Sequence, residues 1–270
     1  MISVRGLKYF YAGGNEALRG ISVDIRSGEK IAVLGSNGAG KSTFFLNLNA
    51  VLTPDQGDIL YRGKKMSRSK EDLTALRRAV GIVFQDADNQ IIASTVMGEV
   101  SFGPMNLKLS KEEVSARVEE ALRYMNLTEF RRRPPHYLSG GEKKRVTIAD
   151  IIAMNSEVII FDEPTASLDP VNAAMLEEVL EKLSAQGKTL LISTHDIDFA
   201  YRWADRILVF CEGEIIADDP PEAVFKEEEV LRRSNLKKPT LLEVCALLRE
   251  KGILQTEGCP KSVEGLRDIL

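Results

Sequence analysis

A chain of 270 residues with 44% apolar side chains has core-forming material for one large domain or two small ones. Its 36 basic and 40 acidic residues leave a net charge of -4, which supplies no general field for a polyanion and argues against a non-specific nucleic-acid role. No apolar run reaches bilayer-spanning length and the opening MISVRGLKYF has no signal-peptide core, so the chain is expected to stay in the cytoplasm. Cys211, Cys245 and Cys259 fit neither a disulfide framework nor a zinc spacing and are expected to be core thiols.

Residues 2–33 read as strands. Leu18, Ile21, Val23 and Ile25 nearly alternate, and EKIAVL is a short apolar run that ends at a glycine loop. That loop, GSNGAGKST, matches G-x-x-x-x-G-K-[ST] through Gly35, Gly40, Lys41 and Ser42, and the KSTFFLNLNA behind it has helical character. Strand, glycine loop and helix form the context a phosphate cradle needs. Its glycines let backbone N–H groups turn in on phosphate oxygens at a helix N-terminus, while Lys41 neutralises the outer phosphates and Ser42 can ligate Mg2+. Residues 58–84 return to strands around the helical segment EDLTALRRA.

From about 95 to 154 the pattern is helical. Ser110 and Glu113 form an S-x-x-E capping box, and Val114, Val118, Ala121, Leu122 and Met125 fall on one face. The basic runs 131–133 and 143–145 read as solvated faces, and His136 as structural. In LSGGEKKR, residues 138–145, a second glycine pair stands behind Ser139. The helix that follows offers backbone donors as an anion site, or Ser139 is a plain N-cap.

The next apolar strand, VIIFDE, ends on two carboxylates. Asp162 is suited to hold hydrated Mg2+ and Glu163 to orient and polarise an attacking water. A helix closed by Gly187 then leads to KTLLIST, completing a parallel crossover, and the chain ends in short helices broken at Pro239 and again near Gly258 and Pro260.

With GSNGAGKST, LSGGEKKR, VIIFDEPTASLD and LLISTHD in that order, the chain resembles an ATP-binding-cassette (ABC) transporter ATPase over nearly its whole length. The resemblance implies an α/β fold: a P-loop NTPase (RecA-like) core, an N-terminal antiparallel β-subdomain, an inserted helical subdomain at about 86–154, and C-terminal helices. The ATPase domain would cover 1–220, and 221–270 would be a helical extension that adds to a dimer contact. ATP and Mg2+ are the implied cofactors. Gly35, Ser36, Asn37, Gly38, Ala39, Gly40, Lys41, Ser42 and Thr43 would hold the phosphates, and Tyr11 would stack on adenine unless it is an ordinary strand residue. Gln85 matches the glutamine that reaches Mg2+ and the water, with Ser42 and Asp162 as the other metal positions. Glu163 matches the base, His195 the switch histidine that contacts the γ-phosphate, and Asp169 a loop that crosses between subunits. Ser139, Gly140 and Gly141 would serve the nucleotide of the other protomer in a head-to-tail homodimer. Glu142 departs from the family's usual glutamine, and a carboxylate there is expected to weaken ATP-driven closure.

FQDADNQ, residues 84–90, resembles the ATPases of energy-coupling-factor (ECF) importers, and KYFYAGGNEALRGISVDI, VSFGPMNLKLS and HDIDFAYRWAD look most like the cobalt-importer (CbiO) type. That implies a transmembrane scaffold and a metal-binding membrane subunit as partners, no nucleic acid, and a peripheral place on the cytoplasmic face of the membrane. The ion would be chosen by the membrane partner, because no His, Cys and carboxylate cluster suited to cobalt or nickel is apparent in the chain. A nickel importer and a shared module energising vitamin import are the alternatives. Leu241, Leu242, Val244, Leu247 and Leu248 form an apolar helix face, either at the dimer contact or packed within the chain. Soluble cassettes acting on DNA or ribosomes fit poorly, lacking here a coiled-coil insertion or a second phosphate loop, and Glu163 with His195 argues against a regulatory module without turnover.

Overall fold

The computed structural model describes residues 1–270 apart from 167 and 257. In chain order the strands are β1 (Ile2–Tyr11), β2 (Asn15–Ile25), β3 (Lys30–Leu34), β4 (Gln56–Tyr61), β5 (Lys64–Lys65), β6 (Val80–Val83), β7 (Val158–Asp162), β8 (Thr189–Ser193), β9 (Arg206–Cys211) and β10 (Glu214–Asp219). The helices are α1 (Lys41–Leu48), α2 (Lys70–Ala79), α3 (Val96–Asn106), α4 (Lys111–Tyr124), α5 (Gly140–Met154), α6 (Pro170–Ala185), α7 (Ile197–Trp203), α8 (Pro221–Val224), α9 (Glu228–Ser234), α10 (Thr240–Glu250) and α11 (Val263–Ile269). Among the described residues no helix is long and apolar enough to cross a membrane.

The continuous apolar runs form a six-stranded sheet of order β10-β9-β3-β8-β7-β6, parallel except for its β10 edge. Strands buried on both faces need no alternation, because helices or a second sheet cover each side. Side chains on the two faces divide the core. Ala32, Leu34, Phe161 and Ile192 point into a cluster with α5, α6 and α7, whereas Ile31, Val33, Ile160 and Leu191 face the other side with Phe44, Phe45 and Leu48 of α1. That second side is closed by an antiparallel sheet of order β2-β1-β4-β5. The α/β class expected from the motifs holds.

Val118, Ala121, Leu122 and Met125 of the expected α4 face are buried against α3 and α5, with Val114 at its margin. The capping box at Ser110 is only half formed. Ser110 accepts from the Glu113 N–H at 3.1 Å, but the Glu113 carboxylate turns to Arg117 four residues on, at 2.6 Å. A charged partner at helical spacing outcompetes the reach back to the cap.

Two of the three expected core thiols are joined. Cys245 on α10 and Cys259 form a disulfide with Cα atoms 6.2 Å apart, because the chain reverses after α10 and brings residue 259 back across it; Cys211 is a free, half-buried thiol. Leu254 and Leu266 complete a small cluster around Cys245. The leucine face is also divided. Leu241 and Leu242 pack on the main core and Leu248 on the small cluster, while Val244 and Leu247 are exposed. The extension rests on its own chain, with Thr240 donating from N and Oγ1 to Asp198 of α7 at 2.6 and 2.9 Å and Tyr201 Oη donating to Cys259 O at 3.2 Å.

Between α3 and α5 lie two buried acids. Glu99 accepts the N–H groups of Ile92 and Ala93 at 2.9 and 2.7 Å, which shapes the turn into α3. Asp150 has the Gly103 N–H at 3.4 Å, and burial, then the nearby Glu99 charge, pushes its pKa up to about 7. A carboxyl that holds its proton more tightly folded than unfolded loses stability as pH rises from its unfolded value of about 3.9 to 7. Asp150→Asn should therefore gain thermal stability over the wild type by a margin that widens between pH 4.5 and 7.5, measured by calorimetry; a constant margin would contradict the raised pKa.

Candidate active site

The phosphate loop begins where β3 ends. Gly35 takes φ +140°, and a Cβ there would stand 2.3 Å from the Phe210 carbonyl oxygen of β9, so the tight exit from the sheet requires glycine. At the other end α1 starts with no side-chain cap and no acid in its first turn. Its first N–H groups face a cleft of about 640 Å³ whose wall includes Asn37 to Thr43, Tyr11, Gln85 and Glu163. Tyr11 lies edge-on to Tyr9 at 5.0 Å and its hydroxyl is 3.1 Å from Thr43 Oγ1, at the mouth of that cleft. Lys41 is buried and donates to the carbonyls of Gly35 and Ser36 at 2.7 and 3.2 Å. Burial pulls its pKa down, opposed by the Glu163 and Asp162 carboxylates. Ser36 Oγ donates to Ser234 O at 3.2 Å, tying the loop to α9.

The parallel order places β7 beside β8 and β8 beside β3, so their C-terminal ends deliver three motifs to one rim. Asp162 ends β7, almost buried. Glu163 follows in the left-handed region at φ +46°, a conformation that costs a non-glycine residue about 1–3 kcal/mol and persists where its surroundings hold it. His195, two residues beyond β8, sets Nε2 2.9 Å from Glu163 Oε1 and 3.1 Å from Asn37 Oδ1. With a carboxylate as neighbour, the ring carries its proton on Nε2 and donates. Gln85 Nε2 donates to Glu163 Oε2 at 3.3 Å. Gln85, Glu163 and His195 are thus brought together. The oxygens of Ser42, Gln85 and Asp162 are hard donors of the kind Mg2+ takes, and a glycine-lined cradle beside Lys41 suits a triphosphate, so the residues present fit both groups.

The signature lies elsewhere. Ser139, Gly140 and Gly141 start α5, and neither they nor Asp169 line the cleft. Ser139 accepts the Glu142 N–H at 3.3 Å while Glu142 Oε2 accepts the Ser139 N–H at 2.7 Å, a complete capping box. These bonds hold the Glu142 carboxyl below its usual pKa. Asp169 caps α6 through Asn172, whose N and Nδ2 donate to it at 2.8 and 2.9 Å, and which packs on the signature so closely that a Cβ on Gly141 would lie 2.8 Å from Asn172 Nδ2.

The run 143–145 is not the solvated face expected from its charge. Lys144 is buried and donates to the carbonyls of Phe84 and Gln85 at 2.6 and 3.0 Å, with burial bringing its pKa down to about 8, and Lys143 pairs with Asp88 at 2.7 Å. The signature helix is therefore bound to the FQDADNQ loop at two points. Helical spacing alone marks position 144 as inward, but its partners are backbone atoms some sixty residues away, which the sequence does not reveal. His136 is exposed and packs on the equally exposed Tyr137 at 4.2 Å.

Together the two sheets, the phosphate loop and the carboxylate pair define an ATP-binding cassette ATPase. The family profile of ABC transporters matches residues 18–166, and the chain belongs to that family. It is 47% identical, over 97% of its length, to the energy-coupling factor transporter ATP-binding protein EcfA2 of Methanospirillum hungatei, and 44% identical, over its full length, to a putative ABC transporter ATP-binding protein of Methanosarcina mazei. The chain spans only 66% and 60% of those two relatives. It is also 44% identical to EcfA of Methanocaldococcus jannaschii, over 95% of this chain and 92% of that protein. Among solved structures, CbiO1 of Clostridium perfringens, described as part of the ABC transporter complex CbiONQ, superposes with a TM-score of 0.75 at 41% identity, covering 92% of this chain and 98% of that one. A dimeric cassette in a post-hydrolysis state with ADP and Pi gives 0.74 at 31% identity, over 82% and 99%.

Two substitutions test the geometry. Glu163→Gln should retain ATP and lose hydrolysis by a factor on the order of 10²–10⁴, and an unchanged rate would exclude Glu163 as the base. Lys144→Ala leaves two loop carbonyls unpaired and should cost roughly 1–3 kcal/mol, read as a lowered melting temperature.

Proposed function

We propose that this chain is the ATP-hydrolysing subunit of an ECF-type importer, working as a head-to-tail homodimer on the cytoplasmic face of the membrane, with cobalt as the ion moved. The observation that carries the reading is that the cleft lined by Lys41 and Glu163, with His195 bonded to Glu163 beside it, is not lined by Ser139, Gly140 or Gly141 of the signature helix. Two copies arranged head to tail would let each signature close on the other's nucleotide. In that arrangement the phosphate loop binds the triphosphate and Glu163 takes a proton from the water that attacks the γ-phosphorus as ADP leaves; Ser42, Gln85 and Asp162 would hold Mg2+, which would supply positive charge beside the phosphates. His195 holds Glu163 Oε1, and in the nucleotide-bound site it would contact the γ-phosphate. Asp169 lies at the subunit crossing.

Residues 1–220 serve as the ATPase domain, with the helices of about 86–154 as its membrane-facing part and 221–270 as an added dimer contact. Exposed Met97, Phe102 and Met105 on α3, beside a groove of about 480 Å³ between α3 and α4, suit an apolar helix of a transmembrane scaffold. Lys144 and Lys143 would pass a shift of that surface to the signature through the Gln85 loop. The likeness to CbiO1 supports cobalt, with a nickel importer as its close variant; the relatives named EcfA favour a second reading, a shared ATPase for vitamin import.

Glu163→Gln chain, tagged and isolated from native membranes with ATP, should bring down a transmembrane scaffold and a metal-binding membrane subunit with no second ATPase. A different ATPase with several vitamin-binding subunits would establish the shared module, and the absence of any membrane protein would overturn the transporter reading. Ser139→Arg should abolish turnover and leave nucleotide binding by the monomer intact; loss of that binding would contradict a signature acting on the partner's nucleotide.

A further inference from the structure

Ser193, the last residue of β8, is fully buried and in direct parallel register with Asp162. Its neighbours in the strand, Leu190, Leu191 and Ile192, are the apolar residues a central strand favours, and serine is not. The hydroxyl is used twice. Its proton goes to Asp162 Oδ1 at 2.6 Å, and its lone pair accepts the Glu163 N–H at 2.8 Å. The first bond occupies one carboxylate oxygen of Asp162 and leaves the other for a further ligand. The second satisfies the N–H of a residue that has just left the sheet in the left-handed region. Two residues on, His195 reaches the same Glu163 at Oε1, so the end of β8 grips Glu163 at its backbone and at its carboxylate.

We propose that Ser193 is a positioning residue for ATP hydrolysis, aiming Asp162 and fixing the backbone of Glu163 through one hydroxyl. This rests on the roles given above to Asp162 and Glu163. Removing the hydroxyl frees the Asp162 carboxylate to rotate and leaves the Glu163 N–H without its acceptor, while the phosphate loop, which belongs to another strand, keeps its shape. The effect belongs to turnover and to the metal, not to nucleotide capture.

The test compares full-length Ser193→Ala, Ser193→Thr and Glu163→Gln chains with the wild type. For each, kcat and KM for ATP are measured across a Mg2+ titration, together with binding of a fluorescent ATP analogue in EDTA and the melting temperature. Ser193→Ala should lose kcat by a factor on the order of ten to a hundred and need several-fold more Mg2+ for half-maximal rate, with analogue binding in EDTA unchanged. Ser193→Thr, which restores the hydroxyl, should recover both. Wild-type kcat and Mg2+ dependence in Ser193→Ala, beside an inactive Glu163→Gln, would overturn this inference alone. Should Ser193→Ala fail to fold, the threonine chain decides: wild-type turnover and Mg2+ dependence support the proposal, and turnover as low as that of Glu163→Gln overturns it. Full hydrolysis by Glu163→Gln would overturn the carboxylate assignment and this proposal with it.

Discussion

Parallel pairing of β3, β8 and β7 is the constraint on which the rest of the site depends. Strands aligned in one direction present their C-terminal ends on one edge of the sheet, and these three ends carry the phosphate loop, the Ser193 to His195 segment and the Asp162–Glu163 pair. Residues separated by well over a hundred positions thereby meet within hydrogen-bond distance, as His195 does with Asn37. The sheet can impose this geometry because both its faces are covered, by α1 and the antiparallel sheet on one side and by α5, α6 and α7 on the other. A shift of β7 against β8 by one residue would exchange the inward and outward faces of Ile160 and Phe161 and take Asp162 away from Ser193 at once.

The helical part stands apart from that edge and is tied to it by side chains. It is joined to the sheet's functional edge through buried Lys144, which grips the carbonyls of Phe84 and Gln85, and through the Lys143–Asp88 pair. The same loop carries Gln85, which donates to Glu163. A chain of hydrogen bonds thus runs from the signature helix to the Glu163 carboxylate within one chain, while Ser139 and Glu142, which cap that helix, do not line the cleft. Glu142 is the substitution that the motif made suspect. Its carboxylate accepts the Ser139 N–H, so its charge is stabilised by the positive end of α5 and partly offsets it, at the place where a phosphate would dock.

Much of this was legible in the sequence because it is local. The phosphate loop, the apolar run ending in Asp162 and Glu163, and the amphipathic face of α4 each follow from spacing within a dozen residues, and the α/β class is what the family resemblance carried by the motifs implies. What was not legible is pairing across distance or choice among local partners. Lys144 looked like one member of a basic run because its acceptors are backbone atoms of another segment. Glu113 left the expected cap for Arg117, a contest between two neighbours that spacing alone does not decide. Cys245 and Cys259 gave no framework signal, since only the reversal after α10 brings their Cα atoms to 6.2 Å. Ser193 carries no local signal in LLIST, because a buried hydroxyl there gains meaning only from β7 lying beside it.

Under the proposed function each complete site is made from two chains. This is tested most directly by mixing two inactive variants, Lys41→Ala, which spoils the cleft and leaves the signature, and Ser139→Arg, which does the reverse. In a mixed dimer the cleft of the Ser139→Arg chain meets the intact signature of the Lys41→Ala chain, so the mixture is expected to regain ATP hydrolysis that neither variant has alone. A mixture as inactive as its components, under conditions where mixed dimers are seen to form, would contradict the account and return the signature to the cleft of its own chain.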